Sequence, residues 1–296
     1  MLDLQINGFA TNDFECNFWA CPEDEKINAL NEYLQAHQVQ SYLATLITAS
    51  YDEFWANLKR IREYQSSFGR ENLIGVHIEG ALISRMGVHP KKHAQALNYQ
   101  AAKNLLNEFG DLIKLWTLCP RVDEAGQVTR LAQDHGIVVS YGHSEANYDE
   151  AMHSFKEYEV NCVTHWGNAM YVLDDFKQRD CSDEDLARLD SESKGGLGLA
   201  AYQNDDVYCM AIAGSKNFAD EHLDPRLLRK LFEKKPERMI LVSDSVLAKP
   251  NCDKLQGGLT CLDQHALNAI EAGCDETAVI KACTENPKMI LERVAH

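Results

Sequence analysis

Short apolar runs of strand length alternate with longer segments of helical period from one end of this 296-residue chain to the other. No other feature limits its fold as much. The runs are Leu2–Ile6, Ser41–Leu46, Leu73–Ile78, Ile113–Leu118, Ile137–Ser140, Asn161–Thr164, Val207–Ile212 and Met239–Val242. Between them lie Asp24–His37, Tyr51–Tyr64, Tyr99–Glu108, Glu124–His135, Asn147–Glu157 and Asp224–Glu233. Asn147 and Asp224 suit N-cap positions, where a short polar side chain accepts from an otherwise unpaired helical N–H, and Pro225 suits a first helical position. Buried strands separated by amphipathic helices predict parallel pairing with crossover helices, since helices on the outer face are what bury such runs. Eight runs fit an α/β fold of one domain, a closed (β/α)8 TIM barrel spanning residues 1–296. A doubly wound open sheet has the same alternation and competes with the barrel at this point. Asp174–Ser193 is the most polar stretch and predicts a long exposed loop or a short helix inserted before the seventh strand.

Charge and cysteines narrow the class of partner. The formal net charge of −16 disfavours nucleic acid and anionic membrane surfaces. It does not disfavour a small anionic substrate, because a pocket can be locally cationic on an acidic protein. The ten cysteines form no CxxC pair and no small-domain disulfide spacing. The N-terminal MLDLQINGFA has neither a basic region nor a long apolar stretch, and no run reaches the ~18 apolar residues of a membrane span. A cytoplasmic, reduced protein is expected.

Polar residues fall at the C-terminal ends of the strand-like runs, which is where barrel enzymes build their sites. Gln5 and Asn7 close the first run, and His77 and Glu79 the third; His143 follows the fifth, His165 ends the sixth and Asp244 ends the eighth. Glu79, His143 and His165 form a carboxylate-plus-two-imidazole set suited to a divalent ion with open positions for water and substrate. Asp244 stands as candidate base. Each residue also has an ordinary structural role open to it: a hydrogen-bonded histidine, a turn carboxylate, a helix N-cap. Four coincidences at strand ends are harder to explain separately than by one shared site.

These residues lie in segments that resemble N-acetylglucosamine-6-phosphate deacetylases, a branch of the amidohydrolase superfamily. Asp3–Gly8 (DLQING) resembles the family's opening barrel strand, with Gln and Asn in place of the HxH pair of other amidohydrolases. Val76–Gly80 (VHIEG) resembles its metal-carboxylate motif and Gly87–Pro90 (GVHP) its substrate-histidine loop. Val139–Ala151 (VSYGHSEANYDEA) and Thr164–Met170 (THWGNAM) resemble its two metal-histidine motifs, and Leu241–Ser245 (LVSDS) the strand carrying its catalytic aspartate. The matches run in order over nearly the whole chain.

The resemblance implies a metal-dependent amide hydrolase that removes the acetyl group from an N-acetylated amino sugar, N-acetylglucosamine 6-phosphate or a close relative. Glu79, His143 and His165 would bind one divalent ion, zinc or iron, and Asp244 would act as general base and then general acid. His89 would contact the substrate near the acetyl group. Asn168, through its side-chain amide, and Ala169, through its backbone N–H, would hold the phosphate. Gln5 and Asn7 offer no imidazole for a second ion. The family tends to form homodimers with a shared active site, so a homodimer is expected. The chain departs from the family in starting at the first barrel strand and stopping after the last helix, at Asn286–His296, without the usual small β-sandwich. The position of a phosphate-gripping arginine is Ser193, with Lys194 beside it, and the family histidine after the seventh strand aligns with His222. Lys194 or Lys216 is the candidate replacement cation. A hydrolase of another N-acyl or cyclic amide and a catalytically silent sugar-phosphate-binding barrel are the alternatives. The complete Glu/His/His/Asp set argues against silence.

Overall fold

A computed structural model describes residues 1–9, 18–20, 23–68, 72–123, 126–176, 180–214, 222–247 and 257–293. Eight strands appear where the apolar runs predict them: β1 (Leu2–Phe9), β2 (Ser41–Ile47), β3 (Leu73–Glu79), β4 (Ile113–Leu118), β5 (Val138–Tyr141), β6 (Cys162–Val163), β7 (Tyr208–Ala211) and β8 (Met239–Leu241). A ninth, β9 (Ser245–Leu247), is an addition to the sequence reading. Every pairing is parallel, and the order is β8-β7-β6-β5-β4-β3-β2-β1-β9. Strands neighbour one another in chain order without a reversal, so the doubly wound alternative is excluded. The two ends of the sheet, β8 and β9, are consecutive in the chain. One segment, 239–247, therefore pairs with β7 through its first half and with β1 through its second, which closes the barrel.

Helices α1 (Asp24–Ala36), α2 (Tyr51–Phe68), α3 (Tyr99–Phe109), α4 (Gln127–Asp134), α5 (Tyr148–Glu157), α6 (Asp183–Ser191), α7 (Leu197–Gln203), α8 (Pro225–Lys234), α9 (Leu262–Glu271) and α10 (Glu276–Glu292) connect or cover the strands. The expected caps are present. Asn147 accepts from Glu150 N–H in a capping box, and Asp224 accepts from Arg226 N–H ahead of Pro225. The polar stretch before the seventh strand holds α6, capped by Ser182, so the short-helix form of that expectation is the one seen. The expected start of the α4 segment at Glu124 lies outside the described residues.

Strand alternation sorts side chains into an outer face against the helices and an interior lining. The interior is apolar at the strand starts, with Leu43, Leu115, Val138, Tyr208 and Ile240 in one buried cluster. Two residues further along the strands it becomes polar. His77 Nε2 lies 2.7 Å from Thr117 Oγ1, which lies 2.7 Å from Thr164 Oγ1, itself 2.7 Å from Ser140 Oγ. Another step along lies the mouth, where Glu79 and its partners gather. Among the described residues no helix is long and apolar enough to cross a membrane, and the seven described cysteines are free and buried.

Candidate active site

Four side chains reach the mouth from four different strands, and the backbone is bent to deliver three of them. His143 (φ 45°), His165 (φ 29°) and Asp244 (φ 48°) all sit at positive φ, where an L-residue crowds its own carbonyl. Such conformations persist only when surrounding bonds over-determine them. Here they do. Ser84 and Arg85 N–H groups both donate to the His143 carbonyl at 3.0 and 2.9 Å, and Trp166 N–H donates to Met210 O at 2.6 Å just after His165. Gly258 N–H donates to the Asp244 carbonyl at 2.9 Å. Glu79 ends β3 in line with His77, and Gly80 follows at φ +103°. A Cβ on Gly80 would lie 2.1 Å from Thr48 Oγ1, so the turn that releases Glu79 requires glycine.

Glu79 Oε1 lies 3.0 Å from His143 Nε2 and 2.8 Å from His165 Nε2, and the two imidazole nitrogens are 3.1 Å apart. All three residues are buried. Hydrogen bonding alone does not satisfy this triangle. His143 Nδ1 donates to the Arg85 carbonyl at 2.6 Å, so a neutral His143 turns the lone pair of Nε2 toward the Glu79 oxygen and toward His165. One imidazole lone pair facing a carboxylate and a second imidazole is a donor set that lacks an acceptor of electron pairs. A single divalent cation supplies it, and Nδ1–H on a backbone carbonyl is the usual arrangement behind a metal-binding histidine. The residues present therefore fit one divalent ion.

Asp244 faces this triangle. Asn7 Nδ2 donates to its Oδ1 at 2.7 Å and Gln5 Nε2 to the same oxygen at 2.9 Å, while Gln5 also reaches Glu79 Oε2 at 3.2 Å. Gln5, which offers no imidazole, thus bridges the two carboxylates as an amide donor, and Asn7 donates to Asp244 alone. Burial, and then the Glu79 charge, push the Asp244 carboxyl well above the usual carboxylate range. Burial also raises Glu79, but its close contacts with the His143 and His165 imidazoles outweigh this and hold Glu79 well below that range. A cation between the two carboxylates would favour ionisation of both.

His89 lies against the same group, its ring centroid 4.4 Å from that of His143 and its Nε2 3.9 Å from Glu79 Oε2. Thr48 N–H donates to His89 Nδ1 at 3.3 Å. Nδ1 is thus the acceptor and Nε2 carries the hydrogen, on the side of Glu79. Burial depresses His89 to about 3, so it is a neutral donor. Thr48 was not singled out from sequence; its signal is a hydroxyl residue just past a strand end, which is too common to read.

The remaining expected residues are less tightly gathered. Asn168 N–H donates to His165 O at 2.9 Å, and its side-chain Nδ2 is buried without a partner among the described residues. Ala169 sits at φ 50° and its carbonyl accepts from Ser144 N–H at 3.0 Å. His222 is buried on the connection from β7 to α8. Ser193 and Lys194 are exposed between α6 and α7. Lys216 lies outside the described residues. The acidic stretch turns to solvent: Asp174 and Asp175 are exposed, Asp183 pairs with Arg226 at 3.1 Å and Asp190 with Lys230 at 2.5 Å.

The fold is a parallel α/β barrel that gathers these groups at its C-terminal mouth. No family model matches the chain. Its curated relatives are consistently N-acetylglucosamine-6-phosphate deacetylases, and the chain is a homologue of them. The enzyme of that name from Bos taurus is 28% identical over 253 residues, which is 83% of this chain and 56% of the bovine one. The chain thus spans about half the length of the first curated relatives it matches. Solved structures share the fold. The deacetylase from Pasteurella multocida superposes with a TM-score of 0.80 at 22% identity, covering 99% of this chain and 76% of that one. That from Thermotoga maritima gives 0.78 at 23% identity, covering 99% and 78%.

Proposed function

We propose that the chain is a metal-dependent deacetylase acting on N-acetylglucosamine 6-phosphate. The observation that carries the reading is the triangle of Glu79 Oε1, His143 Nε2 and His165 Nε2, closed to 2.8–3.1 Å beneath Asp244. The substrate class comes from the relatives' names, and a Mycobacterium smegmatis deacetylase of 20% identity has been solved in complex with N-acetyl-D-glucosamine-6-phosphate.

Glu79, His143 and His165 would hold one divalent ion, zinc or ferrous iron. When bound, such an ion polarises the acetyl carbonyl and acidifies the attacking water. His89 would donate its Nε2–H to the acetyl oxygen as negative charge develops there. Asp244 would take the proton of the attacking water as the C–O bond forms. It would then return that proton to the amide nitrogen as the C–N bond breaks, so that acetic acid and a neutral amine depart and the acid ionises to acetate in water. Gln5 and Asn7 would keep the Asp244 carboxylate aimed across the mouth. Asn168 Nδ2, the Ala169 N–H and His222 would bind the phosphate end.

The test is acetate release from N-acetylglucosamine 6-phosphate by metal-loaded protein, with metal content measured alongside. About one ion per chain is expected, and His143→Asn or His165→Asn should empty the site by removing one of three protein ligands. Unchanged metal content in both variants, or no acetate from the loaded protein, refutes the reading.

A further inference from the structure

We propose that Arg85 is the cation that receives the substrate's phosphate, an assignment that rests on the deacetylase reading above. A dianionic group held at the mouth of a chain with 45 acidic and 29 basic residues needs a local positive charge. The position where the family arginine would stand is Ser193, which is exposed, as is its neighbour Lys194.

Arg85 is tied to the metal-type cluster through its own backbone. Its N–H donates to the His143 carbonyl at 2.9 Å, and its carbonyl accepts from His143 Nδ1 at 2.6 Å. The side chain spans from the loop after β3 to the loop after β6, where the guanidinium lies 4.3 Å from the ring centroid of Tyr171. Tyr171 is two residues beyond Ala169 in the same loop as Asn168, whose Nδ2 is buried and unpartnered.

The guanidinium is also uncommitted by charge. Arg121, on the loop after β4, pairs with Glu150 at 3.5 Å, and on the outer faces Arg226 pairs with Asp224 at 2.9 Å and Arg130 with Glu157 at 2.9 Å. Among the described residues Arg85 has no carboxylate partner and only the Tyr171 ring. Stacking occupies the flat face of a guanidinium and leaves its in-plane N–H groups open, the fork that grips a phosphate bidentately. Holding the side chain against a ring also lowers the entropy lost when an anion is bound. The solvent-facing acidic stretch before α7 leaves this side of the mouth without opposing charge from Asp183 or Asp190, both of which pair elsewhere.

The test compares the metal-loaded full chain with its Arg85→Gln and Arg85→Lys variants. It measures kcat/KM for N-acetylglucosamine with and without the 6-phosphate, and calorimetric affinity for glucosamine 6-phosphate against glucosamine. Wild type should prefer the phosphorylated member of each pair. Arg85→Gln should cut that preference by about tenfold or more, and Arg85→Lys, which keeps a point charge without the fork, by less. The ratio is the readout, because a variant that merely distorts His143 slows both sugars together and leaves the ratio unchanged. An unchanged ratio in Arg85→Gln, or a wild type without preference, overturns the assignment. If wild type turns over neither sugar the deacetylase reading fails, and the binding ratio still decides Arg85 by itself.

Discussion

As the proposed base, Asp244 would have to accept a proton while buried beside another carboxylate. Two amide donors, from Asn7 and Gln5, hold one of its oxygens, and a cation bound beside it would favour its ionised form. In the proposed reaction Asp244→Asn keeps the shape and loses the proton acceptor, so kcat should fall by about two to four orders of magnitude. Metal content should stay near that of wild type, since Glu79, His143 and His165 are untouched. Measured together, near-normal turnover would move the base to another residue, and an emptied site would make Asp244 a ligand. The carboxylate, both imidazoles and the aspartate were legible from their places at strand ends. The partners that set their protonation were not: Thr48 on His89 and the Arg85 carbonyl on His143 are contacts of ordinary residue types across 41 and 58 positions of chain.

At the level of elements, β5, β6 and β8 end in the same device: a short β segment, one or two further residues, then a functional side chain at positive φ. Helix starts close behind them are held independently of the site. The capping box of α5 pairs Asn147 Oδ1 with Glu150 N–H at 2.9 Å and Glu150 Oε2 with Asn147 N–H at 2.9 Å, only four residues after His143. Asn147→Ala should cost about 1 kcal/mol, which in a protein of this size lowers Tm by roughly 2 °C or more. Metal content should be retained. Loss of metal together with stability would mean that the cap also fixes the His143 turn. Asn147 could be picked out in the sequence because a short polar residue just ahead of a helical period suits an N-cap. β9 could not: Ser245–Leu247 is too short to register as a run, and it is a strand only because β1 lies beside it.

Across the whole molecule, the barrel interior grades from apolar to hydroxyl and imidazole to ligands, and a metal would bind only where the closed ring brings those ligands together. Ligand binding to the folded state alone stabilises it by about 4 kcal/mol at a thousandfold excess over Kd. Chelator-treated protein should therefore melt lower and recover on adding back the ion; a Tm indifferent to both would argue that no folded-state site exists. Closure also buries Asp3, which accepts from Ser243 Oγ at 2.5 Å and from Gln5 N–H at 3.1 Å. Burial dominates these bonds and raises its carboxyl from 3.8 to about 7. With the folded value above the unfolded one, the folded state binds the extra proton. The resulting stability is complete below pH of about 4 and is lost as pH rises through about 7. Asp3→Asn should lack this slope. Urea midpoints of metal-free wild type and variant between pH 4 and 8 would check it, and parallel curves would count against a protonated Asp3.

The sequence by itself determined eight of the strands, most of the helices between them and the residue types at the strand ends, because period, caps and turn residues act over a few positions. Only the tertiary structure decided between an open sheet and a barrel. Both have the same local pattern, and the difference lies in whether 239–247 turns back to pair with β1, more than 230 residues earlier. That closure aligns Gln5 and Asn7 with Asp244 across 239 and 237 positions. It also brings Glu79 to His143 and His165, 64 and 86 residues ahead. No local propensity encodes such distances; they follow from all the strands tilting and closing at once.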